Sequence, residues 1–358
     1  PFIRNLLRMS VYQIKYMDAV PDSAVCNEAV KLAKRHKFAQ LSGFVNGVLR
    51  NIARNIDSVQ FDTLSIRYSM PQWIVDRFVA AYGEKKAEEI FKAFHSKSTI
   101  SIRTNLTRCT PDELCAMLEA EGVTVTAVDE LNYAFVISGF DYLNGLQSFR
   151  DGLFYVQDIS SMLVAQTAAP KKGDYVIDVC AAPGGKSTHI AELLQGSGHV
   201  LARDLTDNKV DMIEENIERH GLNNMSAEVW DATVPDVDSV GKADILICDL
   251  PCSGLGVLGR KKDIRYKMTP ESVDELAALQ RQILDTVHTY VKPNGVLVYS
   301  TCTIDEAENE DNVRWFIEKH PEFELDKSFA EGTGMKQILP GEHGSDGFFI
   351  ARFIKSKL

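Results

Sequence analysis

From Tyr175 onward, short apolar runs alternate with segments whose apolar residues recur every three to four positions. The runs predict strands over 175–179, 199–203, 225–229, 244–248, 295–300 and 347–354. The wider spacing predicts helices over 186–194, 208–220, 271–291 and 306–319. Lys292-Pro-Asn-Gly295 reads as the turn into the fifth strand. Strand and helix in strict alternation predict an α/β, Rossmann-like, doubly wound parallel sheet, with ligands held beyond the carboxyl ends of its strands. We assign this region residues 151–358.

The earlier chain is patterned differently. Residues 1–55 read as all-helical, with Phe2, Ile3, Leu6, Leu7, Val11 and Ile14 at helical spacing. Pro21-Asp22-Ser23 marks a break with Ser23 as the next N-cap, followed by helices over 24–35 and 44–54. Residues 56–65 read as a linker. Over 66–150, helices near 71–79, 85–95 and 111–121 mix with strands at 101–105, 123–128 and 134–137, a small α+β module. Thr110, Pro111 and Glu113 form a helix-start signature. Phe154 to Asp158 leads a helix into the third region.

Composition narrows the setting. The chain of 358 residues is 45% hydrophobic and 25% charged, ordinary for a soluble globular protein, and contains no apolar run long enough to span a membrane. Seven cysteines show neither a CxxC pair nor Cys/His ligand spacing, so reduced thiols, no metal and a cytoplasmic setting are expected. The net charge is −11, yet residues 1–55 hold nine Lys and Arg against three acids, a local +6 that leaves −17 for the rest. A second basic cluster, Arg260, Lys261, Lys262, Arg265 and Lys267 around Tyr266, follows Pro251-Cys252 and is a candidate RNA surface.

Candidate chemistry gathers at strand ends. After the first strand comes Cys180-Ala181-Ala182-Pro183-Gly184-Gly185-Lys186, a loop of small residues that lets backbone pass close to a ligand. It is neither GxxxxGK[ST] nor GxGxxG, which favours a nucleoside without a phosphate chain. Asp204, 26 residues after Asp178, ends the second strand, where a carboxylate can accept both ribose hydroxyl protons. Asp231 ends the third, Asp249-Leu-Pro-Cys252 the fourth, and Ser300-Thr-Cys302 the fifth.

DVCAAPGGK, DLPCSG and STCT, in this order, resemble the RNA cytosine-C5 methyltransferases that use S-adenosylmethionine. The resemblance implies a class I methyltransferase domain with an antiparallel last strand. It implies cofactor contacts from residues 180–186, from Asp204 and Asp249, and from Asp231 beside the adenine amino group. Arg203 replaces an aliphatic residue of the family and is expected to face solvent; Trp230 is expected either to stack near the adenine or to pack. The 154–158 segment is similar to one that packs beside the cofactor, and the 66–150 module corresponds to an RRM-like insert, although no aromatic RNP signature is present. Residues 1–55 resemble the second half of a NusB-like RNA-binding domain, found in front of the bacterial 16S rRNA (cytosine 967-C5) methyltransferases. Beginning at Pro1, the chain reads as trimmed, so half a helical bundle would have to find its own packing.

Cytosine C5 is too weak a nucleophile to attack a sulfonium methyl group unless a thiolate first adds to C6. Cys252 and Cys302 both qualify by position, and the residues alone leave the choice open. The resemblance makes Cys302 the nucleophile and Cys252 the group that assists proton removal and product release. Asp249 would hold the cytosine edge, with Lys186 in reach. The implied reaction yields S-adenosyl-L-homocysteine and methylated 16S rRNA, naked or in an early assembly intermediate, from a monomeric enzyme. The rivals are a tRNA cytosine-C5 methyltransferase and a non-catalytic RNA-binding or assembly protein.

Overall fold

Helical periodicity becomes real helices wherever an apolar stripe finds a partner. The computed structural model describes residues 1–96, 99–129 and 131–357, and the chain divides into two units, Pro1–Arg67 and Tyr68–Leu358. In the first, helices Phe2–Tyr16, Asp22–Arg35 and Ser42–Asn55 enclose a core of Leu6, Cys26, Ala29, Ala33, Val45 and Leu49. These three helices therefore find packing among themselves. Pro21, not Ser23, occupies the N-cap of the second helix, because its fixed φ of −62° already suits a helix start. The expected linker, 56–65, begins with the short turn Ile56–Ser58 and runs into the short helix Leu64–Arg67.

The second unit carries two sheets. The smaller uses β1 (Ile100–Thr104), β2 (Thr124–Val128), β3 (Leu131–Ser138) and β4 (Phe154–Val156), in the order β2-β3-β1-β4, with every neighbour antiparallel. Residues 154–156, read with the third region, thus form the edge of this sheet. The helix Pro111–Ala120 packs on it behind a capping box in which Thr110 and Glu113 satisfy each other's backbone N–H groups.

The larger sheet contains β5 (Tyr175–Asp178), β6 (His199–Asp204), β7 (Met225–Val229), β8 (Ala243–Asp249), β9 (Val291–Thr301), β10 (Phe323–Leu325), β11 (Met335–Ile338) and β12 (Phe348–Lys355). Its order is β10-β12-β9-β8-β5-β6-β7, with β11 also on β12. Strands β5 to β9 run parallel, and β12 lies antiparallel to β9. Two apolar layers clasp this sheet: Ile177, Leu246 and Cys248 face one, and Val176, Ile245 and Ile247 the other. The chain steps from β5 outward to β6 and β7, then returns to place β8 on the other side. That reversal opens a crevice above the carboxyl ends of β5 and β8.

Other element ends shift as well: the helix expected over 271–291 runs Pro270–Val287. The 292–295 segment lies inside β9, which starts at Val291, but its residues are register partners of neither β8 nor β12: Val291 opposes Ala243 and Val296 opposes Ile245, so the four residues, with Asn294 at φ 62°, loop out as a turn within the strand. The helix expected over 306–319 runs Glu310–Lys319, because residues 306–309 form a separate turn. Among the described residues, no helix is long and apolar enough to cross a membrane.

Candidate active site

The loop after β5 is fixed from below. The buried Asp178 accepts hydrogen bonds from Ser187 Oγ and, at 3.4 Å, from Cys180 N. Burial lifts its carboxyl to about 7. Ala181 N donates to Arg203 O at 2.8 Å, and Ala182 N to Asp204 Oδ2 at 2.9 Å, so the loop leans on the end of β6. Gly184, at φ 98°, turns the chain into the helix Gly185–Leu193. At Gly185 a side chain would meet the Tyr155 ring, a Cβ lying 3.1 Å from Cε1. Tyr155 Oη in turn donates to Pro183 O at 3.2 Å, which sets the 154–158 segment against the loop.

Asp204 is almost fully buried. Its Oδ1 receives Leu205 N at 2.7 Å and Lys209 Nζ at 2.8 Å. Asp178, Asp204 and Asp249 surround Cys180, and burial together with these three charges pushes its thiol up. Asp231 stays apart, exposed at the end of β7, its Oδ1 accepting Thr233 N at 2.8 Å and Thr233 Oγ1 at 2.7 Å. Arg203 does not face solvent. It is buried, with Nε 2.6 Å from Glu228 Oε1 and Nη2 2.6 Å from Asp236 Oδ2, and the charges supplied by β7 and the following loop make that burial tolerable. The Arg203 guanidinium lies 5.1 Å from the centre of the Trp230 ring, so Trp230 packs on arginine.

On the other side of the crevice, Lys186 Nζ lies 2.7 Å from Asp249 Oδ2. Ser300 Oγ donates to Asp249 Oδ1 at 2.8 Å, which sequence reading did not anticipate; Asp249 and Ser300 are register partners of β8 and β9. Both expected cysteines meet here. Their Sγ atoms are 3.2 Å apart, and Cys302 N donates to Cys252 Sγ at 3.3 Å. The hydrogen bond from Cys252 lowers the Cys302 thiol below its ordinary value; burial and Asp249 oppose this, while Lys186 and Lys261 assist. The same bond, burial and the charge of Cys302 raise Cys252, and the charge of Glu308 adds to them. The pair is thus polarised, with Cys302 on the thiolate side and Cys252 on the thiol side. Lys186 keeps its charge because the attraction of Asp249, Asp178 and Cys302 outweighs burial.

The basic cluster divides. Arg260 bridges Asp158 (3.0 Å) and Asp346 (2.6 Å) and donates to Thr99 O at 2.9 Å. Arg265 is buried and donates to Ser69 O and Leu258 O, each at 3.2 Å. These two arginines hold loops together. Lys261 and Lys262 are exposed, as is Lys267, which pairs with Asp263 at 2.5 Å. Away from the crevice, Asp285, His288 and His320 bring donor atoms within 4.8 Å of one another, but Lys319 Nζ already lies 2.9 Å from Asp285 Oδ1, where a cation would sit.

Comparison with known proteins places this geometry among relatives. The family described as 16S rRNA methyltransferase RsmB/F matches residues 165–354. The NusB family matches residues 1–54, and the ferredoxin-like domain of RsmF/B-like methyltransferases matches residues 70–140. A probable ribosomal RNA small subunit methyltransferase B of Bacillus subtilis is 38% identical over 99% of this chain and 83% of its own length. Ribosomal RNA small subunit methyltransferase B of Shewanella oneidensis is 32% identical over 99% and 82%. Among solved structures, PH0851 superimposes with a TM-score of 0.82 at 28% identity, covering 100% of this chain and 82% of that one. NSun6 from Pyrococcus horikoshii with SFG gives 0.73 at 25% identity, over 80% and 99%.

Proposed function

The chain belongs to the RsmB/F family of 16S rRNA methyltransferases, and from that premise we propose that it methylates C5 of a cytosine in 16S rRNA, cytosine 967 by family analogy, through a covalent adduct on Cys302. The observation that carries the reading is the polarised thiol pair, 3.2 Å between sulfurs, beside the Lys186–Asp249 ion pair.

S-adenosylmethionine supplies the electrophilic methyl group and leaves as S-adenosyl-L-homocysteine. The loop 180–186 fits such a nucleoside: small residues allow close approach, Asp204 offers a carboxylate to hydroxyl groups, and the first turn of Gly185–Leu193 presents backbone N–H groups to a carboxylate. Cys302 Sγ adds to C6 of an unstacked cytosine, and the C5=C6 electron pair moves to C5. Asp249 holds the amino edge of the base, while the Lys186 ammonium stabilises negative charge developing across the ring. After methyl transfer, Cys252 removes the C5 proton, C5=C6 re-forms, and Cys302 leaves as thiolate. Once Cys302 is bonded to carbon, the hydrogen bond and charge that held Cys252 as a thiol are gone, so Cys252 gives up its proton to solvent more readily and is present as thiolate at the step that needs a base.

RNA contacts fall to Lys261, Lys262 and Lys267 rather than to the two tethered arginines. Residues 1–55 and 66–150 supply further RNA-binding surface, and the enzyme works as a cytoplasmic monomer. The test is transfer of labelled methyl groups to naked 16S rRNA and to tRNA, with the modified base mapped. A single 5-methylcytosine in 16S rRNA supports the reading. Methylation of tRNA alone overturns the substrate, and cofactor binding without transfer to either overturns the enzymatic reading for naked RNA.

A further inference from the structure

We infer that Glu308 is a positioning residue that sets the distance between the two cysteines, by gripping the residue after Cys252 and, through it, the residue after Cys302. Glu308 is fully buried. Its Oε1 accepts Ser253 N at 2.9 Å and Gln280 Nε2 at 2.9 Å, and its Oε2 accepts the Ser253 hydroxyl. Ser253 Oγ meets Thr303 Oγ1 at 2.9 Å, so one carboxylate spans both cysteine segments. Gln280 also donates to Pro251 O at 2.8 Å, which closes the grip on the other side of Cys252.

The neighbouring residue completes the clamp. Asn309 Oδ1 accepts Thr301 Oγ1 at 2.6 Å, and Asn309 Nδ2 donates to Thr303 O at 3.1 Å. Cys302 is therefore held by side-chain bonds to both of its neighbours. Gly256 N adds a backbone bond to Cys302 O at 3.1 Å, and the close approach of Gly256 to Gly347 O leaves no room for a Cβ there. A carboxylate buried among neutral donors is costly to keep. Replacing it with an apolar group would leave Ser253 N without its partner and take one of the two acceptors of Gln280 Nε2. The same negative charge raises Cys252, the reverse of what Lys186 and Lys261 do to Cys302. Glu308 thus holds the geometry, and its charge adds to the difference that the hydrogen bond between the two cysteines sets.

The inference rests on the two-cysteine chemistry proposed above. The decisive variant is Glu308→Gln, measured in the full chain. Methyl transfer should fall on the order of tenfold to a hundredfold in kcat, as expected for misplaced reacting groups, with KM for RNA and affinity for S-adenosylmethionine held within about twofold of the parent. Alkylation by iodoacetamide, followed peptide by peptide across pH, should show Cys252 reacting at lower pH than in the parent. Unchanged kcat, or a kcat loss matched by equal losses in cofactor affinity and melting temperature, overturns the inference. Ser253→Ala cuts the relay while leaving the carboxylate, and carries the same test if Glu308→Gln does not fold. The alkylation profile needs no RNA, so an inactive parent enzyme would count against the proposed reaction while the thiol readout still decides the role of Glu308.

Discussion

Cys302 Sγ lies 3.2 Å from Cys252 Sγ, and the two thiols are shifted in opposite directions, Cys302 down and Cys252 up. Two chemically identical side chains are made unlike chiefly by the hydrogen bond between them, with Lys186 and Lys261 adding to the lowering of Cys302 against burial and Asp249, and burial and Glu308 adding to the raising of Cys252. This predicts separable phenotypes. Cys302→Ala should abolish methyl transfer and form no RNA adduct. Cys252→Ala should still form the adduct but fail to resolve it, leaving a protein–RNA complex that survives denaturing electrophoresis. Full turnover by Cys302→Ala would move the nucleophile elsewhere.

With Cys302 as the proposed nucleophile, the same asymmetry should set the acid limb of the reaction. A lowered Cys302 thiol stays ionised to lower pH than a free cysteine, so kcat/KM should persist correspondingly far into acid. Lys186→Met removes a cation that helps lower Cys302 and also unpairs Asp249. Its acid limb should move to higher pH, with the maximal rate down as well. A pH profile with an unmoved limb would mean that Lys186 does not act on Cys302.

Asp204 should matter for cofactor affinity in two ways, as an acceptor for hydroxyl groups and as the anchor of Ala182 N. Asp204→Ala should cost about 1.5–3 kcal/mol of binding, the usual worth of hydrogen bonds to a charged group. Calorimetric titration with S-adenosylmethionine checks this. Affinity equal to the parent would remove Asp204 from the cofactor site.

Much of this arrangement is legible in the sequence because strand ends and glycine loops are local signals. Five parallel strands could be placed from apolar runs, and topology then brought Asp178, Asp204 and Asp249 around Cys180 and joined Cys252 to Cys302. What escaped was set by distant partners. Arg203 carries no mark that Glu228 and Asp236 await it, and Arg260 looks like any basic loop residue until Asp158 and Asp346 are seen on either side. Glu308 was hidden in an acidic stretch that reads as a solvated helix start, and residues 292–295, a turn by composition, loop out within β9 rather than before it.

The divided basic cluster makes a contrasting prediction. Neutralising Lys261 and Lys262 should reduce the salt slope of single-stranded RNA binding by about 0.7 for each phosphate no longer neutralised, leaving stability nearly unchanged. Arg260→Ala should instead destabilise the fold. Burial and nearby Asp158 raise Asp346 to about 6, and Arg260 opposes them. A carboxyl raised on folding contributes stability at low pH that is lost as pH rises through its folded value. Arg260→Ala should therefore lose more stability near pH 8 than near pH 5, read by urea denaturation at both. An equal loss at both would leave Asp346 uncoupled from Arg260.

A last prediction concerns the buried join between the small antiparallel sheet and the helix Gly185–Leu193. Arg103 on β1 is fully buried and forms an ion pair with Glu192 of Gly185–Leu193. It also donates to Gln157 Oε1 at 2.9 Å and to Thr188 Oγ1 at 3.1 Å. Taking two charges out of water is expensive, and their mutual attraction roughly offsets that cost. The pair is thus better understood as specifying one docking of the sheet against the helix than as a source of net stability. Removing one partner leaves the other charge buried and uncompensated. Glu192→Ala should then cost about 3–5 kcal/mol in urea denaturation. Replacing both residues with apolar side chains of similar volume should recover most of that loss while loosening the fit of the helix that carries Lys186. The double variant should fold stably yet bind cofactor more weakly than the parent. Recovery of both stability and affinity would show that apolar packing alone is enough to dock the sheet.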